Sequence, residues 1–224
     1  MKDNTTLLVW ARNEPLNIEK KLLSLSVYAR KYVNIDAVII LDAGILSGTK
    51  EIIRSNLSEK LLFTENTRGN DKTLLVDVLK ALTSENVIFL DINLNLKFHQ
   101  IQRQIARLHR AKVVLPSRFD KMSKTKFSSK KQETFIRFKN IIGLLLSGLP
   151  YPDLCNNNRC FKTKILLPLL LNTKTNLFFW LEVLREARKK GFRIVVCPTH
   201  HIEEKVVIKK QSFFKEIMGL YQKK

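Results

Sequence analysis

The feature that most restricts how this chain can fold is an alternation. Short apolar runs are separated by stretches with the three- and four-residue spacing of amphipathic helices, and the connections between them are short. Thr6–Trp10, Ala37–Leu41, Leu61–Thr64, Val87–Asp91, Lys112–Leu115 and Arg193–Cys197 read as strands. Leu16–Tyr32, Thr49–Leu57, Lys72–Leu82, Phe98–Arg110, Glu133–Leu149 and Asn176–Lys190 read as helices, with Gln211–Tyr221 as a terminal one. Their inward faces are Ile18, Leu22, Leu25 and Ala29; Leu75, Val78, Leu79 and Leu82; Phe98, Ile101, Ile105 and Leu108; and Leu177, Trp180, Leu181 and Leu184. Strand and helix in turn predict an α/β fold with a mostly parallel central sheet. A chain of 224 residues buries one good core and is expected to form one domain.

In such a sheet ligands bind beyond the carboxyl ends of the strands. Three predicted strands end there in polar groups: Asn13-Glu14, Asp42 and Asp91. After Asp91 come Asn93 and Asn95. If the strand continues, a period of two puts Asp91, Asn93 and Asn95 on one face, a set of oxygen donors suited to a hard divalent cation. The other reading of this stretch is a strand that stops in a polar turn.

The net charge of +20 predicts attraction to polyanions: an anionic membrane face, phosphorylated ligands or nucleic acid. No helix-turn-helix, zinc-finger or RNP-type motif is visible, so specific nucleic-acid binding is not expected. Cys155, Cys160 and Cys197 are too few and too odd in number for a disulfide scaffold and fit a reducing compartment. Met1–Asn4 is polar, unlike the start of a signal peptide. The uncharged stretch Asn140–Pro152 is too short to span a bilayer. The expected location is cytoplasmic, peripheral to the inner face of the membrane. The basic character is concentrated in an expected loop, Lys121–Lys131, which runs into the apolar helix Glu133–Leu149. Phe135, Phe138, Ile141, Ile142, Leu144, Leu145 and Leu146 cover much of that helix, which reads either as core or as a membrane-interface element.

Leu7–Glu14, Ile39–Gly44, Asn66–Gly69 and Phe89–Leu94, in that order along the chain, resemble segments of family 2 glycosyltransferases. Leu7–Glu14 is similar to their opening strand and Asn-Glu turn, and Ile39–Gly44 with Ser47-Gly48-Thr49 to their Asp-Asp-Gly-Ser-x-Asp-Gly-Thr segment. Asn66–Gly69 resembles the Asn-x-Gly turn, and Phe89–Leu94 stands where the family has Asp-x-Asp. Pro116–Phe119 resembles the Gly-Ser-Arg segment of the dolichyl-phosphate mannose and glucose synthase branch. Asp153, Arg159 and Phe161 are similar to its Asp-x-x-Ser-Gly-x-Arg-x-Phe, and Leu181–Leu184 with Gly191–Ile194 and Pro198 to the helix and strand that follow. The resemblance implies a GT-A fold: a Rossmann-like, three-layer nucleotide-diphospho-sugar transferase. It implies a nucleotide-sugar donor held by Asn13, Glu14, Asp42, Gly69 and Asp91. A Mg²⁺ or Mn²⁺ ion would lie at Asp91, Asn93 and Asn95, and catalytic groups would be Arg118, Asp153, Arg159 and Glu182. The branch implies a lipid-phosphate acceptor, with residues 1–119 as the donor half and 120–224 as the acceptor half. A lipid phosphate is already ionised, so Arg118 and Arg159 would serve by orientation.

The chain departs from that pattern at Ala43, Ser47, Asn93 and Asn156-Asn157. A divergent enzyme and a catalytically inactive relative, binding anions, lipid or nucleic acid through its basic surface, both fit. Asn93 supplies an oxygen without a charge, which weakens a cation site. Asn93→Asp is expected to tighten Mn²⁺ binding in the presence of nucleotide, measured by titration calorimetry. Unchanged affinity would remove Asn93 from the cation site.

Overall fold

The computed structural model describes residues 4–11, 18–42, 47–66, 70–92, 94–96, 98–173 and 179–203. Its strands are β1 (Thr5–Ala11), β2 (Ile35–Asp42), β3 (Leu61–Thr64), β4 (Asn86–Asp91), β5 (Leu94–Leu96), β6 (Val113–Ser117), β7 (Lys124–Lys126), β8 (Arg159–Lys162), β9 (Ile194–Pro198) and β10 (His200–Glu203). Its helices are α1 (Ile18–Lys31), α2 (Ser47–Ser55), α3 (Asp71–Ala81), α4 (Phe98–Leu108), α5 (Lys130–Ser147), α6 (Thr163–Leu171) and α7 (Phe179–Lys189). Seven strands form a sheet in the order β3-β2-β1-β4-β8-β6-β9, and three form a second, β5-β10-β7. The β1–β2, β1–β4, β2–β3 and β6–β9 pairs are parallel, while β8 runs antiparallel to both β4 and β6. The expected α/β fold with a mostly parallel sheet is what forms.

The order places β1 at a turning point. From β1 the chain steps outward to β2 and β3, then returns to lay β4 on the other side of β1. Every residue of β1 is buried, as a central strand covered on both faces requires. One face carries Leu7, Val9, Ile40, Ile88 and Leu90 under α1 and α4. The other carries Leu8, Trp10, Leu41, Phe89 and Phe161 under α3, α6 and α7. In this second layer Phe89 meets Trp180 edge-on at 4.7 Å and Phe161 at 6.1 Å, with Trp10 at 6.5 Å.

Capping follows local chemistry. The Asn70 side chain accepts from Lys72 and Thr73 N–H and starts α3. Ser129 accepts from Gln132 N–H and starts α5, which ends at Gly148 with φ 63°, a left-handed conformation suited to glycine.

Some expectations are corrected. β4 stops at Asp91, and Ile92 turns, its N–H donating to Trp10 O. Leu94–Leu96 join the second sheet, with Asn95 paired to Ile202. The strand of Asp91 therefore does not run on to Asn95, and Asn93 lies outside the described residues. The basic run expected as a loop contains β7, and α5 begins at Lys130 rather than Glu133. α5 is also not a core helix: Phe138, Ile141, Leu144 and Leu145 are exposed. The expected terminal helix 211–221 lies outside the described residues. No described helix is long and apolar enough to cross a membrane.

Phe89 is fully buried at the centre of the aromatic group. Phe89→Ala is expected to cost about 3–5 kcal/mol of stability, read from the urea midpoint. A loss under about 1 kcal/mol would mean this layer is not tightly packed.

Candidate active site

Parallel pairing sets the first part of the site. Ala11 lies opposite Asp42, and Trp10 opposite Asp91, so both acids reach the same end of the sheet on either side of β1. They stand two strand spacings apart, about 10 Å. Because the chain reverses direction at β1, the ends of β1 and β4 border a topological switch point, the usual ligand crevice of an open α/β sheet. Asp42 is buried and ion-paired, with Lys50 Nζ 2.7 Å from its Oδ2. Lys50 also lies 4.0 Å from Glu65, which pairs with Arg54.

Asp91 is partly exposed, and the turn before β8 holds it. Asn157 Nδ2 donates to Asp91 Oδ2 at 2.9 Å, and the Asp91 N–H donates to Asn158 Oδ1 at 3.2 Å. Nothing in the periodicity of the sequence singles out these contacts. The available signal is the run Asn156-Asn157-Asn158, three amides between a helix and a strand.

Asp153 anchors the second part. It is buried after α5, and five donors converge on it: the Arg118 N–H at 2.8 Å, Arg118 Nε at 2.8 Å, Arg118 Nη2 at 2.7 Å, Asn140 Nδ2 at 3.2 Å and Asn156 Nδ2 at 3.4 Å. The guanidinium of Arg118 thus grips Asp153 with two nitrogens. Expected as a group that orients an acceptor phosphate, Arg118 instead turns this fork to an internal carboxylate.

Arg159, on β8, is buried rather than on the surface. Its Nη2 donates to Leu154 O at 2.7 Å, and its guanidinium lies 5.0 Å from the Trp180 ring centroid. Among the described residues Nη1 has no hydrogen-bond partner, and neither does Nδ2 of the neighbouring Asn158. Burial lowers the Arg159 pKa to about 10. Glu182 sits in the first turn of α7, partly exposed, two residues beyond Trp180. The turn 153–158 and Trp180 thus join Asp91, Asp153 and Arg159 in one neighbourhood.

Asn13, Glu14, Gly69 and Asn93 lie outside the described residues, as does the side chain of Asn95. Among the described residues no group of three His, Cys, Asp or Glu side chains is arranged to hold a metal ion. A cation that keeps several waters needs less. One partly exposed carboxylate at a strand end, completed by diphosphate oxygens, fits Mg²⁺ or Mn²⁺, and Asp91 offers that donor.

No protein-family model matches the chain, and no curated protein matches it by sequence. Solved structures do match. One is glucosyl-3-phosphoglycerate synthase from Mycobacterium tuberculosis with Mn²⁺, UDP and glucosyl-3-phosphoglycerate bound, at a TM-score of 0.69 and 13% identity, covering 97% of this chain and 79% of that one. The same enzyme with Mg²⁺ and UDP gives a TM-score of 0.66 at 12% identity, with coverages of 97% and 79%. Another is 4-diphosphocytidyl-2C-methyl-D-erythritol synthase from Anaerococcus prevotii, at a TM-score of 0.59 and 12% identity, covering 98% of this chain and 97% of that one. The chain shares the fold of these structures, the GT-A fold.

Asp153→Asn would remove the carboxylate and leave the largely buried Arg118 without its ion partner. It is expected to cost about 3–5 kcal/mol in a denaturant titration. A near-neutral result would show that Asp153 does not organise this region.

Proposed function

We propose that this chain is a family 2-type glycosyltransferase that moves a hexose from a nucleoside diphosphate sugar to an acceptor phosphate. One observation carries the reading: Asp91 ends β4 beside β1, at the switch point of a GT-A sheet, with its carboxylate partly open. A leaving nucleoside diphosphate accumulates negative charge, which a divalent cation stabilises when it is bound. Asp91 would hold that cation, with Asn93 as a weaker, uncharged second ligand. Asp42, with Asn13, Glu14 and Gly69, would border the nucleoside. The M. tuberculosis enzyme with this fold was crystallised with Mn²⁺ and UDP-glucose, which supports the donor class. It was also crystallised with phosphoglyceric acid, which supports an acceptor bearing phosphate.

On the acceptor side, the buried Arg159 has one nitrogen with no partner among the described residues, while Arg118 and Asp153 position the frame around it. Glu182, in the first turn of α7, is the candidate to orient the attacking oxygen. The acceptor we favour is a lipid phosphate, because the excess of positive charge suits an anionic surface. The protein would then work as a cytoplasmic enzyme, peripheral to the inner membrane face, with residues 1–119 serving the donor and 120–224 the acceptor.

Thermal-shift titration with UDP-, GDP- and TDP-sugars, with and without Mn²⁺, tests this. A ligand that binds only the folded state, at a hundred times its Kd, stabilises by about 2.7 kcal/mol. At least one donor should raise the melting temperature, more with Mn²⁺, and Asp91→Ala should abolish the Mn²⁺ increment. No shift with any donor would favour the inactive, anion-binding alternative.

A further inference from the structure

α5 buries amides and exposes large apolar side chains. Helices on a protein surface normally turn apolar side chains inward and polar ones to water. Among the described side chains of α5 the buried positions are Gln132, Asn140 and Gly143. The two amides are satisfied there. Asn140 Oδ1 accepts from Cys155 N–H at 2.9 Å while its Nδ2 donates to Asp153, and Gln132 Oε1 accepts from Ser128 N–H at 3.1 Å. Gly143 lets the helix close on Leu154 and Cys155, where an added Cβ would already be 3.6 Å from both. The outward face carries Phe138, Ile141 and Leu145, at 51%, 55% and 75% exposure, spaced i, i+3, i+7 along one stripe, with Leu144 at 42% beside them. Since the polar side of α5 is consumed by internal hydrogen bonds, the helix cannot roll over to hide these groups.

The surroundings say what covers them. Between residues 121 and 149 the chain has seven basic residues and one acidic residue, Glu133, which is paired with Arg137. Lys121, Lys124, Lys126, Lys130 and Lys131 are all exposed, and Met122 among them is 73% exposed. This basic segment is tied to the helix, since Phe127 stacks on Phe119 at 5.9 Å and Arg137 lies 4.5 Å over the same Phe119 ring. An apolar stripe bordered by lysines complements a surface that is apolar below and negative above. A second copy of this chain would instead bring two such basic faces together.

We infer that α5 is an interfacial helix. It lies in the plane of an anionic bilayer with Phe138, Ile141, Leu144 and Leu145 among the acyl chains, and the lysines of residues 121–131 meet the headgroups. It deepens the lipid-acceptor reading and rests on it for its purpose. The two fail separately, because vesicle binding needs no nucleotide and donor binding needs no vesicle.

The test is co-sedimentation with phosphatidylglycerol-containing vesicles and with pure phosphatidylcholine vesicles, without nucleotide. The protein should pellet with the anionic vesicles only and release as salt is added. Changing all five lysines to Gln should weaken binding by about five-fold per lysine. The variant Phe138→Asn/Ile141→Asn/Leu145→Gln keeps the charge and, being altered only at exposed sites, should melt as the parent does, yet should lose vesicle binding. In the single variant Phe138→Trp, the emission that the new indole adds should shift to the blue when anionic vesicles are added. Vesicle binding unchanged in the apolar triple variant, or an emission spectrum of Phe138→Trp that vesicles do not move, would overturn the proposal. So would pelleting equally with both vesicle types or with neither. A dimer in light scattering that the triple variant dissolves would assign the face to a second copy instead.

Discussion

A buried carboxylate is costly unless donors meet its oxygens, and the arrangement of this site depends on how Asp153 meets that requirement. Its donors come from three places: the end of β6 through Arg118, α5 through Asn140, and its own turn through Asn156. These segments are distant or only loosely linked along the chain. The carboxylate therefore acts as a three-way joint. The turn it fixes leads through Asn157 and Asn158, which hold Asp91, into β8, which buries Arg159. α5 is oriented by the same joint, because Asn140 must face Asp153, and this turns the apolar stripe outward.

The acids at the sheet edge are not equivalent. Asp42 is buried and compensated by Lys50, whereas Asp91 is partly open and is supported by the amides of Asn157 and Asn158. A cation-dependent diphosphate site needs a carboxylate that a hydrated ion can reach. On that ground Asp91 is the better candidate of the two. Arg159 shows a related asymmetry. Its guanidinium lies over Trp180 and is bonded through one nitrogen, while another has no partner among the described residues, an arrangement that is expensive unless a partner arrives.

Much of this fold was legible in the sequence because its central elements are locally consistent. Leu61–Thr64 forms the strand its apolar run predicts, and Ile101, Ile105 and Leu108 are buried as their spacing requires. What escaped has physical reasons. β8 is an antiparallel strand of four residues laid between parallel neighbours, and its place comes from β4 and β6 rather than from its own pattern. α6 is almost uniformly apolar and contains Pro168, so it shows no helical period. β5, β7 and β10 are short strands that exist through one another. The site was half legible. Asp42 and Asp91 follow from polar strand ends, but the pairing of Arg118 with Asp153 and of Asn157 with Asp91 joins residues 35 and 66 positions apart. Hydropathy also could not tell which face of α5 is inside, because its inner face is made of amides satisfied by groups outside the helix.

The most direct measurement is an experimental structure of the protein with a nucleoside diphosphate sugar and Mn²⁺. The diphosphate should lie beyond the ends of β1 and β4 with the cation on Asp91, and with Asn157 and Asn158 still supporting that residue. Nucleotide bound elsewhere, or a diphosphate whose cation makes no contact with Asp91, would contradict the account.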